Sequence, residues 1–167
     1  GIVVADGFEY KVNHYDALYL GAGTKDVVLE SVDKKNPAKF YMNSVPAHVS
    51  YPSRVITYEQ ANHVHAGSAA ESNDRTINQY IHPDILETCQ LSMGMTHLET
   101  GSVWNTMPAH THERRMEVYF YFDLPEDQVL FHFVGSSTTA QPLARCSTPH
   151  LSGSVLLIQR IVRALLR

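Results

Sequence analysis

The stretch NTMPAHTHERRMEVYFYF, Asn105–Phe122, crowds imidazole, carboxylate and guanidinium against four consecutive aromatics. Its second half alternates. On a strand, Glu117, Tyr119 and Tyr121 share one face and Val118, Phe120 and Phe122 share the other. Such a segment reads either as a two-sided core strand or as one wall of a cavity lined by a carboxylate and phenols, and both readings can hold together. An exposed Val-Phe-Phe face would be a liability, so a second sheet or subunit is expected to cover it. The first half carries His110 and His112, two residues apart, which on a strand stand on one face at about 6.5–7 Å. Glu117 has the opposite parity. A tight turn or bulge at Glu113-Arg114-Arg115 would reset that parity and bring the carboxylate to the two rings. Two histidines and a glutamate are a common first shell for catalytic Zn²⁺ and for other divalent ions with open positions. The competing reading keeps both imidazoles as surface or hydrogen-bonded core groups.

Working outward, short β-rich runs recur between turn residues. They include GIVVA, FEYKV, DALYLG, DVVLESV, AKFYMNSV, RTINQYI, ETCQLSMGMTHL, SVWNTM and QVLFHFV. The turns between them have the right chemistry: Asp6-Gly7, Gly21-Ala22-Gly23, Asn36-Pro37 and Pro125-Glu126-Asp127. Many short strands at this spacing predict an all-β antiparallel sandwich or barrel. Residues 58–74 are polar and lack a clear period, so they read as a linker between two β units. The last acidic residue is Asp127, and four arginines follow it with no carboxylate. The closing run SVLLIQRIVRALLR places Arg160, Arg163 and Arg167 on one side of a helical wheel, so a short C-terminal helix is expected there. The tail after Ser136 reads as a docking helix or as a segment foreign to the β domain before it.

The 167 residues are enough for a sizeable core. At 44% apolar and 18% charged the chain is globular rather than disordered. A net charge of −4 argues against a nucleic-acid binder, which needs a basic surface. No apolar run approaches the ~20 residues of a membrane-spanning helix. No cleavable signal is visible at the start, and Cys89 and Cys146 are in no ligand spacing, so a reduced, cytoplasmic setting is expected.

The other histidines carry less. His63 and His65 form a second H-x-H pair, but in the polar 58–74 stretch, where solvent exposure is expected. His14, His48, His82, His97, His132 and His150 are isolated. His132, in LFHFV, either faces the same cavity as the metal or is a satisfied core histidine. Arg114 and Arg115 read either as a solvated turn or as a fork for an anionic substrate, since a guanidinium matches a carboxylate.

The run GSVWNTMPAHTHERRMEVYFYFDLP (101–125) resembles the 5-keto-4-deoxyuronate isomerases of bacterial pectin breakdown, members of the cupin superfamily. DALYLGAGTKDVVLESVD (16–33), PAKFYMNSVPAH (37–48), RTINQYI (75–81) and ETCQLSMGMT (87–96) resemble the same family in the same order. The resemblance runs from about Gly1 to Gly135. It implies a bicupin of antiparallel β-barrels, one Zn²⁺ per chain and a homo-hexamer. On that basis residues 1–57 are part of an N-terminal cupin-like barrel, 58–74 a linker, 75–135 the first part of the metal-binding barrel and 136–167 a divergent tail. It further implies an aldose–ketose isomerase that interconverts 5-dehydro-4-deoxy-D-glucuronate and 3-deoxy-D-glycero-2,5-hexodiulosonate, with His110, His112 and Glu117 as the metal ligands. The family's chains begin upstream of Gly1. Its fourth ligand, a histidine in a WSIHSG-like strand, has no counterpart here, and His150 in STPHLSGS is not assigned to that role. The cupin glycines also depart: the one before the first histidine is as far off as Gly101, and Leu124 stands where one follows Glu117.

Such an isomerase must move a proton between adjacent carbons. Glu113, Tyr119 and Tyr121 are the unranked candidates for proton transfer or orientation, and Arg114 or Arg115 for holding the uronate carboxylate. The alternatives are a non-catalytic cupin module that binds metal or a sugar acid, and a cupin metal oxygenase.

Overall fold

The computed structural model describes residues 1–105 and 115–132 together with the backbone of strand 155–162. Every strand pairing in it is antiparallel, and the helical content of the described residues is two short 3₁₀ turns, Tyr58–Gln60 and Ala69–Glu71. The fold is all-β and cupin-like, as the recurring short strands predict.

Strands β1 (Ile2–Ala5) and β2 (Phe8–Lys11) form a hairpin whose two-residue loop is Asp6-Gly7. Both loop residues have positive φ, 48° and 83°, the backbone that asparagine, aspartate and glycine tolerate in a tight hairpin turn. The alternation of β1 buries Val3 and Ala5. Strand β4 (Val27–Glu30) pairs on the other side of β1. Its entry is held by the Asp6 carboxylate, which accepts the backbone N–H groups of Lys25 and Asp26 at 3.1 and 2.9 Å. Those two donors, Asp26 first, hold the Asp6 carboxyl below the usual carboxylate range.

A two-stranded ladder of β3 (Ala17–Tyr19) and β5 (Arg54–Ile56) contributes Ala17, Tyr19 and Ile56 to the main core. The largest sheet has the order β6-β7-β8-β10-β9, with β6 at Asn62–Ala66, β7 at Arg75–Ile81, β8 at Leu91–Leu98, β9 at Arg115–Phe122 and β10 at Val155–Val162. Tyr80, Ile81 and Met95 from β7 and β8 complete the core with Ala61. A register shift between Gln79 and Ile81 lets the neighbours Tyr80 and Ile81 both be buried, where strict alternation would bury only one. Beside it Gly94 lets the strands close up, since a Cβ there would lie 2.9 Å from the Asn78 carbonyl oxygen.

Three local expectations differ from the structure. The polar 58–74 stretch contains β6, which pairs with β7 from Asn62↔Gln79 to Ala66↔Arg75. An edge strand exposed on both faces needs no apolar alternation, so the run looked like a loop. His63 and His65 on it are exposed, as expected. His63 is nonetheless anchored: its Nδ1 lies 2.6 Å from Oδ1 of the fully buried Asn78, whose Nδ2 donates to the Met95 carbonyl at 3.0 Å.

The expected C-terminal helix is instead strand β10 over Val155–Val162, lying between β8 and β9 and paired to both. Two open strand edges offer a backbone ladder on each side, and Val155, Ile158, Ile161 and Val162 are β-branched, so pairing overrides the helical pattern. Arg163 and Arg167 lie outside the described residues.

The runs Ala38–Val45 and Gln128–His132 are not strands. The first uses the Tyr41 ring for packing rather than pairing.

Candidate functional site

Strand β9 puts the alternation of its sequence to use. On one face Phe120 stacks on Tyr41, with ring centroids 4.5 Å apart and planes 8° from parallel, and Phe122 follows at 5.8 Å from Phe120. Both phenylalanines pack against the main core. The expected cover for the apolar face is therefore the body of the same chain.

The opposite face is polar and continuous. The Arg115 guanidinium Nε lies 3.1 Å from Glu117 Oε1, and the Tyr119 hydroxyl donates to Glu117 Oε2 at 2.8 Å. Tyr121 is hydrogen-bonded to His132 Nδ1. With the phenol as donor, that imidazole carries its own proton on Nε2. The His132 ring sits 4.9 Å from Tyr119 and 5.7 Å from Tyr121, so the chain returns over the two phenols after the Pro125–Gln128 turn. The end of β9 is fastened at Asp123, a left-handed residue with φ 58°, whose carboxylate accepts from the Tyr15 hydroxyl at 3.2 Å. Burial first, and the Asp123 charge second, push the Tyr15 phenol above its ordinary value. Through β10 the register carries Glu117, Tyr119 and Tyr121 across to Ser92, Gly94 and Thr96 of β8. Directly opposed residues in an antiparallel sheet share a face, so these three positions extend the same surface.

Glu117, Tyr119 and Tyr121 are thus on one face, as their parity predicts, and His132 faces them. Arg115, expected in the turn, is the first residue of β9 and pairs with Glu117 two residues on. The signal for that pair was present: opposite charges at i and i+2 on a strand stand side by side. His110, His112, Glu113 and Arg114, with the bend expected among them, lie outside the described residues. Among the described residues no three His, Cys, Asp or Glu side chains form a metal cluster.

The one described member of the expected ligand set has the chemistry a divalent ion asks for. Glu117 is a half-buried carboxylate at the start of β9, oriented by an arginine and a phenol, and a carboxylate has lone pairs enough to accept a hydrogen bond while binding a cation.

Residues 7–159 match a family model described as the KduI/IolB family. Among curated proteins the chain is similar to the 4-deoxy-L-threo-5-hexosulose-uronate ketol-isomerases of Yersinia pseudotuberculosis (serotype O:1b, strain IP 31758) and Yersinia pestis (strain Pestoides F). Each is 57% identical over 135 residues, which is 81% of this chain and 49% of the relative. The chain spans about half the length of the curated relatives it matches.

Proposed function

The chain belongs to the KduI/IolB family, and on that premise we propose that its protein is a metal-dependent ketol-isomerase acting on a deoxy-keto-uronate. The reaction is the interconversion of 5-dehydro-4-deoxy-D-glucuronate and 3-deoxy-D-glycero-2,5-hexodiulosonate in pectin and uronate breakdown. The observation that carries this reading is the polar face of β9, Arg115–Glu117–Tyr119–Tyr121 with His132, inside a stretch 57% identical to proteins named as ketol-isomerases.

His110, His112 and Glu117 would hold one Zn²⁺ per chain. When bound, such an ion supplies Lewis-acid polarisation of the substrate carbonyl and charge neutralisation beside it. The protein's own residues do the rest. Tyr119 fixes the Glu117 carboxylate in one orientation. Arg115, beside Glu117 on that face, or Arg114 would hold the uronate carboxylate. Tyr121, hydrogen-bonded to His132, would carry the proton between the two substrate carbons, with the imidazole taking it up and returning it. Glu113 is the further candidate for this task. The homo-hexamer rests on the family resemblance alone, and the cytoplasmic setting on the cysteine usage.

The test is metal analysis of the purified protein with an assay of uronate interconversion. One divalent ion per chain with turnover, and a Tyr121→Phe variant that keeps its metal but loses about 10²-fold in rate, support the reading. Full metal occupancy without turnover leaves a cupin module that binds a sugar acid, and oxygen consumption leaves an oxygenase.

A further inference from the structure

Away from β9, two loops distant in sequence bring a thiol and an imidazole together. His48 lies on the long connection between β4 and β5, and Cys89 lies just before β8. The His48 backbone N–H donates to Cys89 Sγ at 3.2 Å, and the Nδ1 of the same residue lies 3.0 Å from that sulfur. The contact is reinforced next door, where Gln90 Nε2 donates to the Pro46 carbonyl at 2.6 Å. Cys89 is half-buried and His48 is exposed, so the sulfur is oriented by protein on one side and open to reagents on the other. The same two segments also border an open cleft of about 330 Å³, lined by Tyr51, Pro52, Ser53, Arg54, Leu86 and Glu87.

We propose that Cys89 and His48 form a nucleophilic thiol–imidazole pair, a modification site that takes a small disulfide such as oxidised glutathione. The physical reason is that the thiolate is the reactive form of cysteine. An imidazole nitrogen within hydrogen-bonding reach of the sulfur can take the thiol proton as the sulfur attacks, and the backbone N–H holds the sulfur in place. In the step, the Cys89 thiol gives its proton to His48 Nδ1. The thiolate attacks one sulfur of R–S–S–R, the new S–S bond forms as the old one breaks, and the departing RS⁻ takes the proton from His48. The net change is Cys–SH + RSSR → Cys–SSR + RSH, in which Cys89 is oxidised and one reagent sulfur is reduced. Neither His48 nor Cys89 is part of the β9 face that the isomerase reading uses, so the two proposals stand or fall separately.

The test uses the full chain with Cys146→Ser, which leaves Cys89 as its single thiol. Mixed-disulfide formation with oxidised glutathione is followed by intact mass at neutral pH. Folded protein is expected to react on the order of 10-fold faster than the same chain unfolded in urea. The His48→Ala change is expected to remove that advantage, and added free imidazole to restore part of it, because the position is exposed. A merely structural His48 would show no imidazole rescue. Should the His48→Ala chain fail to melt cooperatively, the folded-against-unfolded rate decides alone. A folded rate equal to or below the unfolded one makes Cys89–His48 a clamp between loops and overturns the proposal.

Discussion

The two faces of β9 are made from alternate residues of the same eight, yet they are held in different ways. Phe120 and Phe122 gain their place by removing apolar surface from water and by ring stacking, Phe120 on Tyr41 and Phe122 on Phe120. Arg115, Glu117, Tyr119 and Tyr121 gain theirs through directed contacts in which each polar group meets a partner of opposite character. A period of two lets one strand belong to the core and to a site at once. If the polar face carries the proposed isomerase chemistry, the apolar face can be repacked without touching it, whereas the polar face tolerates little change, because each group orients the next.

The largest expected effect falls on the polar face. Glu117→Gln keeps the shape but removes the charge that pairs with Arg115 and would bind the ion. Isomerisation is expected to fall by about 100-fold or more, with bound metal falling alongside it, while stability changes by no more than about 1 kcal/mol. Metal content, turnover and a urea melt measured on one preparation check this. An unchanged rate would make that face scaffolding and erase the contrast between the two sides of the strand.

Phe120→Ala attacks the other face. It removes a ring stacked on Tyr41 and packed on the core, at an expected cost of about 3 kcal/mol. Turnover per folded molecule is expected to hold, so urea denaturation moves and the specific activity of the folded fraction does not. If the rate per folded chain collapses as well, the two faces are mechanically coupled through β9, and the separation argued above fails.

The alternation of β9 and the Asp6-Gly7 hairpin were legible because both are local: side-chain parity and a two-residue turn are written in adjacent residues. Strand β6 was not, since its exposed edge carries polar residues that a loop would also carry. Strand β10 was not, since its run fits a helix until β8 and β9 offer it two ladders. Within the site, the Arg115–Glu117 pair was readable in principle, but assigning Arg115 to the turn hid it. The approach of His132 to Tyr119 and Tyr121 depends on how the chain folds back after Pro125, and the Cys89–His48 contact spans 41 residues, beyond any local rule.

The smallest effect sharpens what the core side of the sheet consists of. Tyr80, on β7, is almost fully buried, and its hydroxyl makes no hydrogen bond among the described residues. Burial pushes its phenol well above the ordinary range. A raised folded-state value means that the stability is fully present below the unfolded tyrosine value of about 10 and is lost as pH climbs from there toward the folded value. Over that window Tyr80 is expected to cost up to about 1.4 kcal/mol per pH unit. Tyr15, Tyr19 and Tyr41 are shifted in the same direction and add to the slope. Tyr80→Phe is therefore expected to change stability at pH 7 by less than about 1 kcal/mol, in either direction, because the lost hydroxyl has no partner to leave unpaired. It is also expected to flatten the loss of stability above pH 10 by one phenol's share. Urea midpoints at pH 7, 10 and 11 measure both quantities. A penalty well above 1 kcal/mol at pH 7, with the alkaline slope unchanged, would mean that the hydroxyl is held by a polar partner, so that the core side of the sheet also depends on directed bonds and differs from the β9 polar face only in degree.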